Sequence, residues 1–146
     1  MEEMNQLKVY TLEEANRLLP KLDRMIQELQ EKRELILKQE VEIDALELVT
    51  GHDKDRESPV VCRKMEEYNR TVTGFYSLID EIHEMGCLLK DIPMGLVDFY
   101  SLHNGHVVYL CWKLGEKEIG YWHEVGRGFA YRQPLTVEKE GRESSG

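Results

Sequence analysis

LVDFYSLHNGHVVYLCWK, from Leu96 to Lys113, decides the C-terminal half of the fold. Asn104-Gly105 stands at its centre and fits a two-residue type I′ turn, whose two central residues both need positive φ. β-Branched and aromatic residues flank it, so Leu96 to Leu102 and Val107 to Lys113 read as paired strands. The short turn fixes their register: Phe99 meets Leu110, Val97 meets Trp112, Tyr100 meets Tyr109 and Asp98 meets Cys111. One face then carries Val97, Phe99, Leu110 and Trp112 and is expected to pack on helices. The other carries Asp98, Tyr100, Leu102, Val107, Tyr109 and Cys111, which is too aromatic to leave in water.

Further on, Leu114 to Glu118 turns again and Ile119 to His123 reads as a third strand. Leu88 to Ile92, upstream, reads as a short strand or an extended entry. An odd second loop pairs Cys111 with His123 and Trp112 with Trp122; an even one pairs Cys111 with Trp122. The odd loop sets Asp98, Cys111 and His123 in a row across three strands. A carboxylate, a thiol and an imidazole so placed can ligate a metal, zinc being the natural choice, or act as a nucleophilic set. The plainer reading makes Cys111 a small buried hydrophobe and His123 a hydrogen-bond partner of Asp98. No cofactor is called for by the sequence. His103 and His106 face each other across the hairpin tip. Gly128 to Leu135 is expected to fold back over the aromatic face. Arg132 would then pair with Glu116 or Glu124, with Asp98 a third candidate if its row faces the cover, or grip an anionic ligand in bidentate fashion. Trp112, Trp122, Glu116 and Arg132 are the candidate ligand-binding residues.

Upstream the period changes from two to 3.6. Thr11-Leu12-Glu13-Glu14 reads as a capping box. Apolar residues then step by three and four from Leu12 to Ile43, interrupted at Arg33 and Glu40. Pro20 falls inside this pattern and should kink or divide the helix. Residues 50–57 form a polar break, and Ser58-Pro59 suits a new helix start. A second seam runs from Val61 through Phe75 to Ile82, with His83 expected at the core edge. Two such helices joined by a short loop make an antiparallel hairpin. On the plainer reading each helix covers the other; because a two-helix seam is narrow, the sharper reading adds a second copy that completes a four-helix bundle.

The 146 residues carry 19 Lys+Arg and 28 Asp+Glu, a formal net charge of −9. Residues 1–86 hold 12 of the basic and 20 of the acidic residues, while eight of the 12 aromatics lie between Asp91 and Arg132. So acidic a chain lacks the basic footprint of a nucleic-acid binder. No apolar run approaches the roughly 20 residues of a membrane helix, and the first ten residues do not read as a signal peptide. Cys62, Cys87 and Cys111 are odd in number and have no CxxC spacing. They suit a reducing cytoplasm and exclude an ordinary zinc finger or iron–sulfur cluster.

The stretches TLEEANRLLP (Thr11 to Pro20), GLVDF (Gly95 to Phe99) and YLCWKLGEKEIGYWHEVGRGFAYRQPL (Tyr109 to Leu135) resemble the family labelled domain of unknown function 2203. The likeness runs through nearly the whole chain in order. It implies a small prokaryotic protein whose signature region is the aromatic meander, with Cys111-Trp112, Gly115-Glu116, Ile119, Trp122-His123, Gly128-Phe129 and Arg132 in the recurring pattern. It implies no substrate or cofactor.

The expected architecture is α+β: a long antiparallel two-helix hairpin packed with a small three-stranded antiparallel meander. Residues 1–138 are expected to form a single domain, with the hairpin over 11–86, the meander and its cover over 87–135, and a disordered tail over 139–146. The expected function is a cytoplasmic, non-catalytic binding or interaction module that self-associates through its helices. The alternatives are a metal-binding or hydrolase-like protein using Asp98, Cys111 and His123, and an anion-binding regulator using Arg132.

Overall fold

Thr11 starts the first helix. Its hydroxyl accepts from the Glu14 amide at 3.0 Å, and the Glu14 carboxylate accepts from the Thr11 amide at 3.0 Å, so two otherwise unpaired donors are satisfied reciprocally. The computed structural model describes residues 8–50 and 58–135. In it α1 spans Leu12–Arg17, α2 Leu19–Thr50 and α3 Pro59–Glu84. The break between α1 and α2 comes from Pro20, which has no N–H for the carbonyl one turn back. The Leu18 amide turns back to the Ala15 and Asn16 carbonyls instead. Ser58 precedes α3 and accepts from the Val60 amide at 3.1 Å. Of the polar break expected over 50–57, Thr50 belongs to α2, and residues 51–57, like the tail over 139–146, lie outside the described residues.

The chain gathers into two compact units, one of residues 24–81 and one of residues up to 23 together with those from 82 onward. In the first, α2 and α3 run in opposite directions. Tyr68 donates to Glu40 at 2.7 Å and Lys64 meets Glu42 at 3.6 Å, so positions rise on one helix as they fall on the other. Glu40 therefore interrupts its seam to receive a hydroxyl from the facing seam. Arg33 is exposed. Ile26, Leu29, Ile43, Phe75 and Leu78 are buried.

The second unit is built on a five-stranded sheet: β1 Cys87–Asp91, β2 Leu96–His103, β3 His106–Lys113, β4 Tyr121–Glu124 and β5 Gln133–Pro134. The strands lie in sequence order and every neighbouring pair is antiparallel. The α+β class is as expected, but the sheet has five strands where three were expected. β1 proves to be a strand, with a bulge between Leu89 and Asp91. β5 is two residues long and ends in proline, so no alternation announces it.

Asn104 and Gly105 adopt φ of 54° and 81°, and all four expected β2–β3 pairs form. The second turn differs. Tyr109 pairs with His123 and Cys111 with Tyr121, so His123 takes the face expected for an odd loop but sits two pairs along from Cys111. The wider loop is held from three sides. Trp112 Nε1 donates to the Glu116 carbonyl at 2.9 Å, the Lys113 amide donates to the Glu116 carboxylate at 2.9 Å, and the Ile119 amide donates to Asn16 Oδ1 at 2.8 Å. Ile119 is thereby buried and cannot serve as the first ladder residue.

Val97, Phe99, Leu110 and Trp112 are buried, on the face that meets α1, the first turn of α2 and the segment before them. Tyr10 sets its ring edge-on to Phe99 at 5.4 Å and its hydroxyl on the Met85 carbonyl. Its amide donates to the Tyr100 carbonyl at 2.8 Å and its carbonyl accepts from Ser101 Oγ at 2.7 Å. Gly86 ends α3 at φ +88°, where a Cβ would lie 2.6 Å from Lys8 Cβ. Only glycine fits that conformation and that approach. His83 is exposed and not at a core edge: its place follows the seam by one residue, which turns it outward. Among the described residues no helix is long and apolar enough to cross a membrane.

Candidate functional site

Strand alternation puts Lys90, Asp98, Tyr109, Cys111, Tyr121 and His123 on the sheet face opposite Phe99 and Trp112. Asp98 is the hub. Its side chain is 3% exposed, and its Oδ2 lies 3.0 Å from His123 Nε2 and 3.3 Å from Lys90 Nζ. Cys111 also hydrogen-bonds to it. One carboxylate thus faces an ammonium, an imidazole and a thiol, which offsets the cost of burying its charge.

His123 is held at both ring nitrogens. Nδ1 lies 3.0 Å from the Glu124 carbonyl, which can only accept, so Nδ1 carries a proton. That fixes Nε2 toward Asp98, and one further proton, on the ring or on the carboxylate, completes the Nε2–Oδ2 bond. A nucleophilic relay needs an imidazole nitrogen free to take the thiol proton. Here both are engaged. The Cys111 thiol is pushed up to about 12 by burial and by the Asp98 charge, against the opposing pull of Arg132. It is a protonated thiol at neutral pH, unlike an activated cysteine. The ligating atoms of Asp98, Cys111 and His123 nonetheless lie within 4.8 Å of one another, and all three residues are buried.

Arg132 closes this face. Nη2 meets Glu116 Oε2 at 2.7 Å, and Nη1 reaches Glu116 Oε1 at 3.4 Å and Cys111 Sγ at 3.8 Å. The guanidinium lies over Tyr121 at 3.9 Å and Phe129 at 4.4 Å. Burial pulls its proton affinity down, but the bonds to Glu116 and Cys111 outweigh that and hold it above its ordinary value. Of the carboxylates weighed in the sequence it takes Glu116, whose carbonyl accepts from Trp112 Nε1 and whose carboxylate accepts from the Lys113 amide. The segment from Gly128 covers only part of the face: Leu102 and Val107 stay 58% and 38% exposed, and so does Tyr131 at 58%. A 3-10 turn at Phe129–Tyr131 directs Tyr131 outward, where Arg127 lies over its ring.

The candidate ligand-binding residues therefore separate. Arg132 and Glu116 sit beside Cys111. Trp112 is buried on the opposite face, and Trp122 on that face stacks at 5.3 Å on the exposed His103. Lys90 was not legible as a site residue while β1 was ambiguous. Once β1 is a strand, its place two residues beyond Leu88, the partner of Asp98, marks it. It also lies 4.5 Å above the Tyr109 ring, whose hydroxyl is pushed up to about 12 by burial and by its bond to Tyr100.

A family described as "Uncharacterized conserved protein (DUF2203)" matches residues 8–135. The chain belongs to this family. The matched span includes both the hub around Asp98 and the Arg132–Glu116 closure. No curated protein and no solved structure matches the chain.

Proposed function

We propose that this DUF2203 protein is a small cytoplasmic, non-catalytic interaction module that self-associates through α2 and α3 in coiled-coil fashion. The observation that carries the reading is an exposed apolar stripe on α2. Leu37, Val41 and Leu48 are 51%, 68% and 82% exposed, and with the exposed Ala45 between them they follow helical spacing of three and four. Single exposed hydrophobes are ordinary, but a stripe over three turns is not. The seam itself is also wet: Ile36 is only half-buried, and over residues 30–50 Ile43 alone is buried. Two helices offer each other one narrow face, whereas four exclude water around a common core. A second copy of the hairpin supplies such a partner with the same acidic, apolar-striped helices. The odd number of cysteines without CxxC spacing and the acidic charge support a reducing compartment and no nucleic-acid role.

Val41→Glu and Leu48→Glu test this cleanly, since neither side chain is buried in the single chain. Light scattering of each variant should give a monomer, with the wild type an oligomer and circular dichroism unchanged. An oligomer that persists in both variants removes the stripe from the interface.

A further inference from the structure

We infer that Asp98, Cys111 and His123 form a binding site for a zinc-like divalent cation. The three residues offer oxygen, sulfur and nitrogen, the mixed donor set that zinc accepts in tetrahedral sites. All three are buried and their ligating atoms lie within 4.8 Å of one another. Tetrahedral zinc places such donors about 3.3–3.6 Å apart, from metal–ligand lengths of about 2.0–2.3 Å. His123 Nε2 and Asp98 Oδ2 are already 3.0 Å apart, so side-chain movements of about 1 Å complete the geometry.

The surroundings of His123 are those of a metal ligand. Its Nδ1 is tied to the Glu124 carbonyl at 3.0 Å, the outer-shell bond that fixes tautomer and ring direction and leaves Nε2 for the metal. Strand geometry does the same for the other two donors, because Asp98 and Cys111 are direct cross-strand partners. A site on three adjacent strands is more precise than one on loops.

Two cations stand nearby, and the charge balance accommodates both. Lys90 is 42% exposed at its side chain, so its ammonium can leave Asp98 for water. Arg132 is neutralised by Glu116, and its Nη1 is placed to donate to a thiolate from outside the metal. Binding forms metal bonds to Sγ, Nε2 and a carboxylate oxygen. It releases the thiol proton and the proton that joins Nε2 to Asp98. Two protons leave as one dication enters, so the buried charge is unchanged. Three protein donors leave a fourth position for another ligand.

The test uses the untagged full chain with Zn²⁺ or Co²⁺ alone. Calorimetric titration should give one Zn²⁺ per chain. The Co²⁺ form should show a thiolate-to-cobalt charge-transfer band and intense tetrahedral d–d bands. Cys111→Ser should abolish the charge-transfer band. His123→Gln should weaken Zn²⁺ binding more than about 100-fold, since loss of an outer-shell partner alone costs 10–100-fold. The double variant His103→Ala/His106→Ala, which removes the exposed pair at the hairpin tip, should bind as the wild type does. The inference is overturned if the wild type binds no stoichiometric Zn²⁺ or shows no thiolate band, results that do not depend on any variant folding. It is equally overturned if folded Cys111→Ser keeps the band, or if the tip variant loses binding.

Discussion

Replacing Arg132 with alanine removes three things at once: a forked bond to Glu116, a cation over two rings, and the lid on Cys111. The Arg132 and Glu116 side chains are 13% and 24% exposed. The pair therefore lies between a rim ion pair, worth about 0–1 kcal/mol, and a buried one, where losing a partner costs roughly 3–5 kcal/mol. About 2 kcal/mol is the middle of that range. The contacts with Tyr121 and Phe129, at 3.9 and 4.4 Å, add about 0.5–1 kcal/mol between them after solvent screening. The expected loss is about 3 kcal/mol, a fall of roughly 6–12 °C in Tm for a chain of this size. Arg132→Lys keeps the charge but loses the fork and the flat stacking surface, so it should recover less than half. Urea unfolding followed by tryptophan emission reads the right region, because Trp112 and Trp122 are both in the sheet unit. A double-mutant cycle with Glu116→Gln isolates the pair, with an expected coupling of about 1–2 kcal/mol. A loss below about 0.5 kcal/mol in Arg132→Ala, or a coupling below about 0.5 kcal/mol, refutes the idea that this pair closes the face.

Two other outcomes follow from single residues. Cys111 titrates at about 12 in the folded chain against an ordinary 9.0, so its contribution is complete below pH 9 and fades as pH rises toward 12. Wild-type stability should then fall more steeply between pH 9 and 11 than that of Cys111→Ala in parallel urea titrations; equal slopes contradict the raised value. Gly86→Ala should cost about 2 kcal/mol or more, from the positive φ and the approach to Lys8, and a change below about 0.5 kcal/mol in urea unfolding would show that the N-terminal segment does not pack there.

The elements legible in the sequence are those with a local cause. Asn104-Gly105 dictated its own turn, and through it every β2–β3 pair. Thr11 and Glu14 dictated the start of α1, and Pro20 its division from α2. What was not legible depended on distant contacts. The β3–β4 register follows from Glu116 and Asn16 capturing the loop, and Asn16 lies 103 residues from Ile119. β5 exists because Gln133 and Pro134 find the β4 edge, not because their own pattern is extended. In the site, alternation put Asp98 and Cys111 on one face, and His123 joins them because the second loop takes the odd of the two parities the sequence left open. The role of Asp98 as hub needed Lys90, which a bulged edge strand hid. The partial cover over Leu102 and Val107 was hidden for a similar reason: Phe129–Tyr131 curls into a 3-10 turn that sends Tyr131 outward, where a full cover was expected.

Sedimentation equilibrium of the untagged full chain over a hundredfold range of concentration tests the central claim of self-association most directly. The account predicts a mass that rises to a fixed multiple of 17.1 kDa and returns to a single chain in Leu48→Glu. A wild-type mass of one chain at every concentration would contradict it.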